Sequence, residues 1–441
     1  MIHTDQFGQA FSCASEAAAN AYTCGIDRLL SYQADALSEI DRAIELDAEF
    51  ALAHIARARI CQIQGRIPEA REAAAQARLL ANNRSAREQQ HVSTLALAVE
   101  SKAAAAFAQL QEHTRSYPRD ALPLSLALGA IGLFAFSGKP DSRERELAYL
   151  QSLASHWQEH WWFDTYLGWA LIETGAHRKG IERVERALRA RPENAQAAHA
   201  LAHGHYECGQ AGTGLQHIEQ WVQAHGSSSV LYAHLRWHQG LFALQTGDTE
   251  NARNIYRESI APDASQAVPL MILMDAASFA WRSVIYGRPL DATQLESVAA
   301  QARDCLPGNG PAFFLWHKAL AFASAGDHTG LSQLITELQN LETADRLPPG
   351  DGLVRFAQGL AAYARQDYPG AVQALTAANA SAGRIGGSSA QQDIVADSLI
   401  AATVQAGEAE AAEQLAAARA TRRASHLNTE WTNRIAQAFN A

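Results

Sequence analysis

The feature that most restricts the fold of this chain is a short turn signal that returns at a nearly fixed interval. It occurs at Gln64-Gly65-Arg66, Ser101-Lys102, Ser137-Gly138-Lys139, Thr174-Gly175-Ala176, Cys208-Gly209-Gln210, Thr246-Gly247-Asp248, Tyr286-Gly287-Arg288, Ala325-Gly326-Asp327, Gln366-Asp367 and Ala406-Gly407-Glu408. Gly175 to Gly209 is a step of 34 residues and Gly247 to Gly287 one of 40. Each step holds two apolar-periodic segments of ordinary helix length. Such units cannot bury their apolar faces alone, so they stack as helical hairpins. Alanine dominates, followed by Leu, Glu, Gln and Arg, all good helix formers. Long Val/Ile/Thr alternations are missing, so strands are not expected. The expectation is one all-α, right-handed superhelix of about ten hairpins over residues 1–441, with capping helices at 1–35 and 408–441.

Two units follow the tetratricopeptide pattern. One runs from Trp162 to Pro192 with Leu167-Gly168, Gly175 and Ala187-Leu188; an earlier one carries Ala51, Ala53, Gly65, Ala70 and Ala74. Small residues there let the two helices of a hairpin approach closely. Glycine after the first helix serves as a left-handed cap, and Pro192 ends the second. The pattern is broken in four places. Residues 1–30 read as an irregular helix pair, Ala261–Val268 as a long connection, and Leu341–Gly352, with Pro348-Pro349-Gly350, as a loop. Ser381–Gln392 also interrupts the helical period.

Composition excludes several classes. The chain has 36 Lys+Arg against 46 Asp+Glu, a net charge of -10, and no basic block, so neither nucleic acid nor an anionic membrane is an expected partner. No apolar run reaches the length of a membrane span, and the N-terminal MIHTDQFGQAFS lacks the plan of a signal peptide. The five cysteines are scattered without a CxxC pair. Reduced thiols in the cytoplasm are the simplest reading.

The chemistry concentrates between His199 and His238, which hold seven of the seventeen histidines. His199/His203 and His234/His238 are each four apart, so each pair projects from one helix face. Zinc accepts such imidazole pairs, but no HExxH is present, and Cys208 lies off the face of His203. Neither a metal nor a cofactor is therefore expected. The bland alternative is hydrogen bonding of these imidazoles across a hairpin. Trp157, Trp161, Trp162 and Trp169 fall in one hairpin, and Trp221, Trp237, Trp281 and Trp316 recur later, as inter-helix packing would require. Trp237 and Trp316 each precede a histidine, His238 and His317, which suggests a shared lining position. Phosphate-loop, dinucleotide-binding and serine-hydrolase motifs are absent. Gly383-Arg384-Ile385-Gly386-Gly387-Ser388 reads as a loop capped by Ser388, or else as an anion site.

From Asp5 to about Gly407 the chain resembles the tetratricopeptide repeat protein 38 family. The segments that carry the resemblance are His199-Ala-Leu-Ala-His203, His234-x-x-Trp237-His238, Asp275-Ala-x-Ser278-x-x-Trp281-Arg282, Trp316-His317-x-Ala-Leu-Ala-Phe and Arg384-Ile-Gly-Gly-Ser-x-Ala-Gln-x-Asp393. It implies an α-solenoid and little about activity. The chain departs from the family at Tyr206, at Ser389 and near Ile131-Gly132.

These observations predict a binding or interaction protein. Its concave pocket would be lined by His199, His203, His234, Trp237, His238, Asp275, Trp281, Arg282, His317 and Asp393, and would take a small polar ligand or a peptide. His238 and Arg282 are the expected contacts, with Trp237 or Trp281 as a wall. The alternative is an enzyme of hydrolase or isomerase type, with a histidine general base assisted by Asp275 or by a metal ion.

Overall fold

The computed structural model describes residues 1–305 and 310–439, apart from the side chain of Ser227. The chain is an all-α helical-repeat superhelix built from antiparallel hairpins. Helices Ala51–Ile63 and Ile67–Ala81, Trp161–Glu173 and His177–Ala190, Ala195–Glu207 and Ala211–His225, and Gly352–Ala364 and Tyr368–Ser381 are representative pairs. The turn glycines adopt the left-handed backbone that ends a helix, with φ of 77° at Gly65, 91° at Gly175 and 81° at Gly247. Where the signal lacks glycine, Ser101 (φ 62°) and Gln366 (φ 64°) adopt it instead. Close approach explains the small residues of the Trp162–Pro192 unit. A Cβ on Gly168 would stand 2.5 Å from Val184 Cγ2, and one on Gly180 would stand 2.6 Å from the Gly168 carbonyl.

The structure corrects the reading of the N-terminus. Residues 1–30 hold one helix, Glu16–Leu30, preceded by an antiparallel β-hairpin, Ile2–Thr4 with Ala10–Ser12. Local chemistry makes the hairpin. Asp5 Oδ1 accepts from the amides of Phe7 (2.9 Å) and Gln9 (2.8 Å), and Gly8 takes φ 77°. Phe7 and Phe11 are then buried against Trp157, Trp162, Tyr22 and Phe50. The partner of Glu16–Leu30 is Ala36–Leu46, with which it forms the first helical hairpin.

A second departure lies before the Gly138 turn. The expected helix there is reduced to Ala121–Ser125, followed by irregular chain and a short turn of 3-10 helix at Ala135–Ser137. This segment reaches the far end of the chain. The Gly387 amide donates to the Ala130 carbonyl (3.2 Å), and Arg143 donates to Ser389 Oγ (2.8 Å). Phe136 packs on Phe313 and Phe314. The superhelix therefore closes on itself. Helix Ser389–Gln405 packs against Ala195–Glu207 and Pro269–Ile285, covering the face of those helices that an open solenoid would expose. The C-terminal helices Ala409–Arg422 and His426–Phe439 bring Arg423 to Glu207 (2.7 Å) and Glu430 to Arg288 (2.6 Å).

Residues 261–268 are non-helical, as read; the loop expected at 341–352 is shorter, 344–351, because the flanking helices run to Thr343 and from Gly352. Ser388 caps the next helix in a box with Gln391. All five cysteines are free. Among the described residues no helix is long and apolar enough to cross a membrane.

Candidate functional site

Helix Ala195–Glu207 is buried on every side, which its alanines at 195, 197, 198, 200 and 202 permit. It starts at Asn194, whose side chain accepts from the Ala197 amide (3.2 Å) and donates to Thr165 Oγ1 (3.1 Å). One face points His199 and His203 toward helix Tyr232–Thr246, which supplies His234 and His238. The four imidazoles meet. Ring centroids lie 4.7 Å apart for His199 and His203, 4.5 Å for His203 and His238, 5.0 Å for His199 and His238, and 4.8 Å for His199 and His234.

Two carboxylates hold the cluster from outside. His203 Nδ1 donates to Glu173 Oε1 (3.0 Å) and His234 Nδ1 donates to Asp275 Oδ1 (2.8 Å). A neutral imidazole that donates through Nδ1 presents a bare lone pair at Nε2. Both of those Nε2 atoms face His199 Nε2, at 3.0 and 3.1 Å. His199 Nε2 carries at most one hydrogen, so it cannot satisfy both neighbours well. Neither nitrogen of His238 finds a hydrogen-bond partner among the described residues, and Asp275 Oδ2 and His199 Nδ1 also lack one. Adding protons is disfavoured. Burial, reinforced by the neighbouring imidazoles, drives His199 and His238 well below the ordinary histidine value, and burial lowers His203 against the pull of Glu173. Arg143 and His203 hold the buried Glu173 below the usual carboxylate range despite its desolvation. Burial raises Asp275, with His234 opposing.

Of the other expected residues, Trp237 lies parallel to His234 at 5.2 Å and beneath Arg282, whose guanidinium is 5.7 Å from the indole centre. Arg282 is anchored by Ser278 and by the Ala390 carbonyl (2.6 Å). His317 is turned into its own helix, bonding the Phe313 carbonyl through Nδ1 (2.7 Å), and burial, with Arg282 and His234 adding, pushes it down to about 4. It shows no bond to the four imidazoles. Trp281 points away, donating to Ser398 Oγ (2.8 Å) and packing on Tyr363. Asp393 belongs to a separate network, accepting from Tyr206 (3.0 Å) and paired with Arg422 and Arg423. Glu207, on the His203 side of its helix, is likewise taken by Arg423.

Sequence reasoning did not select Glu173, Glu146 or Arg143. They line a small cleft with Gly129, Ser142 and Trp169; the cluster histidines do not line it, but Glu173 bonds His203. Trp169 stacks on His199 (5.2 Å), and the Ser389 amide donates to Glu173 Oε2 (2.8 Å). Glu146 accepts from the Gly129 amide (2.9 Å), and burial, with Glu173 adding, raises it to about 8. The available signal was weak: Trp169 and Glu173 are four apart on one helix face, toward the end of an otherwise apolar helix.

Fold and site together define a tetratricopeptide-like helical-repeat protein with a histidine cluster closed inside the superhelix. No family model matches the chain. Among solved structures it is similar to a tetratricopeptide repeat protein from Parabacteroides merdae, with 11% identity over 72% of this chain and 98% of that one and a TM-score of 0.32. It is also similar to the Cut9–Hcn1 hetero-tetramer of the APC/C (14% identity, 85% and 69% of the two chains, TM-score 0.42) and to the TPR domain of P58(IPK) (15%, 89% and 89%, TM-score 0.23). At these identities the comparison concerns the fold alone.

Proposed function

We propose that this is a binding protein of the tetratricopeptide repeat protein 38 family whose histidine cluster holds a small polar or anionic molecule. One observation carries the reading: four buried imidazoles converge with more lone pairs than hydrogens to share, and His238 makes no hydrogen bond among the described residues. Buried polar groups are normally paired, so such a site favours a ligand over an empty core. The family assignment is supported by where its segments fall. His199–His203, His234–His238 and Asp275 meet directly, and Arg282 is tied to the Ala390 carbonyl. A small ligand suits the site better than a peptide, because helix Ser389–Gln405 already covers the face where a peptide would lie. Residues 1–441 act as one solenoid in this reading, since Arg191 pairs with Asp27 and Arg423 with Glu207 across the superhelix.

A second reading, catalysis by a histidine general base, rests on the Asp275–His234 pair at 2.8 Å, a carboxylate orienting an imidazole. Both readings meet the same first test. Wild type and the double variant His199→Ala/His238→Ala are melted with and without a panel of polar metabolites. A ligand-dependent rise in the melting temperature of wild type, lost in the double variant, is the expected result. A variant that melts early while wild type responds to nothing would make the histidines structural.

A further inference from the structure

We propose that His199, His234 and His238 bind a late first-row divalent transition-metal ion, leaving a coordination position for the small polar ligand; the inference rests on the preceding reading for its choice of site. The ligand atoms of the three imidazoles all lie within 4.8 Å of one another, and all three residues are buried. His199 Nε2 and His234 Nε2 are 3.1 Å apart. Zinc–imidazole bonds of about 2.0–2.1 Å in a tetrahedron put neighbouring nitrogens about 3.4 Å apart. A cation removes, for His199, His234 and His238, the mismatch that hydrogen bonding leaves. Lone pairs of His199 and His234 that now face each other would both point at positive charge, and His238 would gain the partner it lacks.

The surroundings agree. Asp275 accepts from His234 Nδ1, which fixes the tautomer with Nε2 free to ligate and makes that nitrogen a stronger donor. Glu173 does the same for His203, whose Nε2 lone pair, 3.0 Å from His199 Nε2, stays outside the three-imidazole set and would take a hydrogen from the bound ligand or a water rather than from His199. These two carboxylates offset a dication without ligating it. Imidazole ligands without thiolate suit zinc, copper, nickel or iron rather than calcium or magnesium, which require oxygen. The sequence argued against a metal because closed structural zinc sites usually include cysteine. A three-imidazole site with an open position needs none. Arg282 is the countervailing charge; its guanidinium is held by Ser278 and by the Ala390 carbonyl (2.6 Å).

The test uses the full chain with no affinity histidines. Metal content is measured by mass spectrometry as purified, and chelator-treated protein is then titrated with Zn²⁺ or Co²⁺ alone, following the visible absorption of tetrahedral Co²⁺. The expected result is one ion per chain, with binding lost in His238→Asn and His199→Asn and weakened about 10- to 100-fold in Asp275→Asn. His317→Asn, outside the set, binds as wild type does. The inference is overturned if wild type holds no stoichiometric metal and gives no Co²⁺ spectrum, as it would if the cluster surrounded only an ordered water. It is also overturned if folded His238→Asn binds as tightly as wild type. A metabolite-dependent melting shift without metal binding removes the metal and leaves the ligand reading. Metal binding without any metabolite response does the reverse.

Discussion

Two buried polar clusters, one drawn from residues 87–120 and one from residues 173–275, are built on opposite plans. Around Asp120 the charge sits at the centre. Its carboxylate accepts from Arg87 Nη1 (2.6 Å), His91 Nδ1 (2.9 Å) and His113 Nε2 (3.0 Å). Gln90 bonds the far nitrogen of His113 (3.1 Å). Around His199 the carboxylates sit at the edge and the centre is imidazole alone. An acceptor surrounded by donors settles its own hydrogen bonds at the centre, even though Arg87 Nη2 and His91 Nε2 at its rim lack a partner among the described residues. A ring of equivalent imidazoles does not, because each neutral ring has one donor and one acceptor and several acceptors here face inward. The first cluster explains itself as a strut between helices Ala86–Val99 and Ala103–Ser116 and the chain that follows. The second leaves inward-facing lone pairs that the proposed ligand or metal would answer.

The largest expected effect falls on the self-contained cluster. Asp120→Ala leaves Arg87 buried without its counter-charge and should cost about 3–5 kcal/mol in urea denaturation at neutral pH. A loss near that of an ordinary surface substitution would erase the contrast. Acid probes the same carboxylate less severely. Burial works against its ionisation, but His91 and Arg87 hold Asp120 well below its ordinary 3.8. A depressed carboxyl gives stability that is present above the unfolded value and is lost as pH falls through the lower folded value. Wild type should therefore lose stability below about pH 4 more steeply than Asp120→Asn, as measured by denaturation at a series of pH values.

At the imidazole cluster the effects are smaller in metal-stripped protein. Asp275→Asn removes the carboxylate acceptor of His234 Nδ1, and about 1–2 kcal/mol of destabilisation is expected from chemical denaturation. Smallest is His238→Leu. A fully buried side chain with two unpartnered nitrogens contributes little by being polar, so the change should range from neutral to about 1 kcal/mol stabilising in the stripped protein. A loss of several kcal/mol there would mean that the stripped cluster is as self-sufficient as the Asp120 one, and the comparison would collapse.

Much of this was legible in the chain itself. The turn spacing located the hairpins because a helix pair of fixed length needs a reversal at a fixed interval, and the reversal needs a residue that tolerates positive φ. The i, i+4 pairs located two edges of the cluster because helical periodicity is local. Glu173 escaped notice because one glutamate at a helix end looks like any solvated one, and only burial distinguishes it. Trp281 and Asp393 were assigned to the pocket with the segments that carry the family resemblance, yet they face Ser398 and Arg423.

The sequence by itself determined the repeat, the helical class, the turn positions and the pairing of His199 with His203 and of His234 with His238. Only the tertiary structure decided that the two pairs meet, that Glu173 and Asp275 flank them, and that the superhelix closes over them through residues 126–143 and helix Ser389–Gln405. The physical reason is range. Backbone periodicity fixes which residues share a face within one helix. The meeting of faces from different hairpins depends on small rotations accumulated over every intervening repeat, and on irregular segments that obey no period.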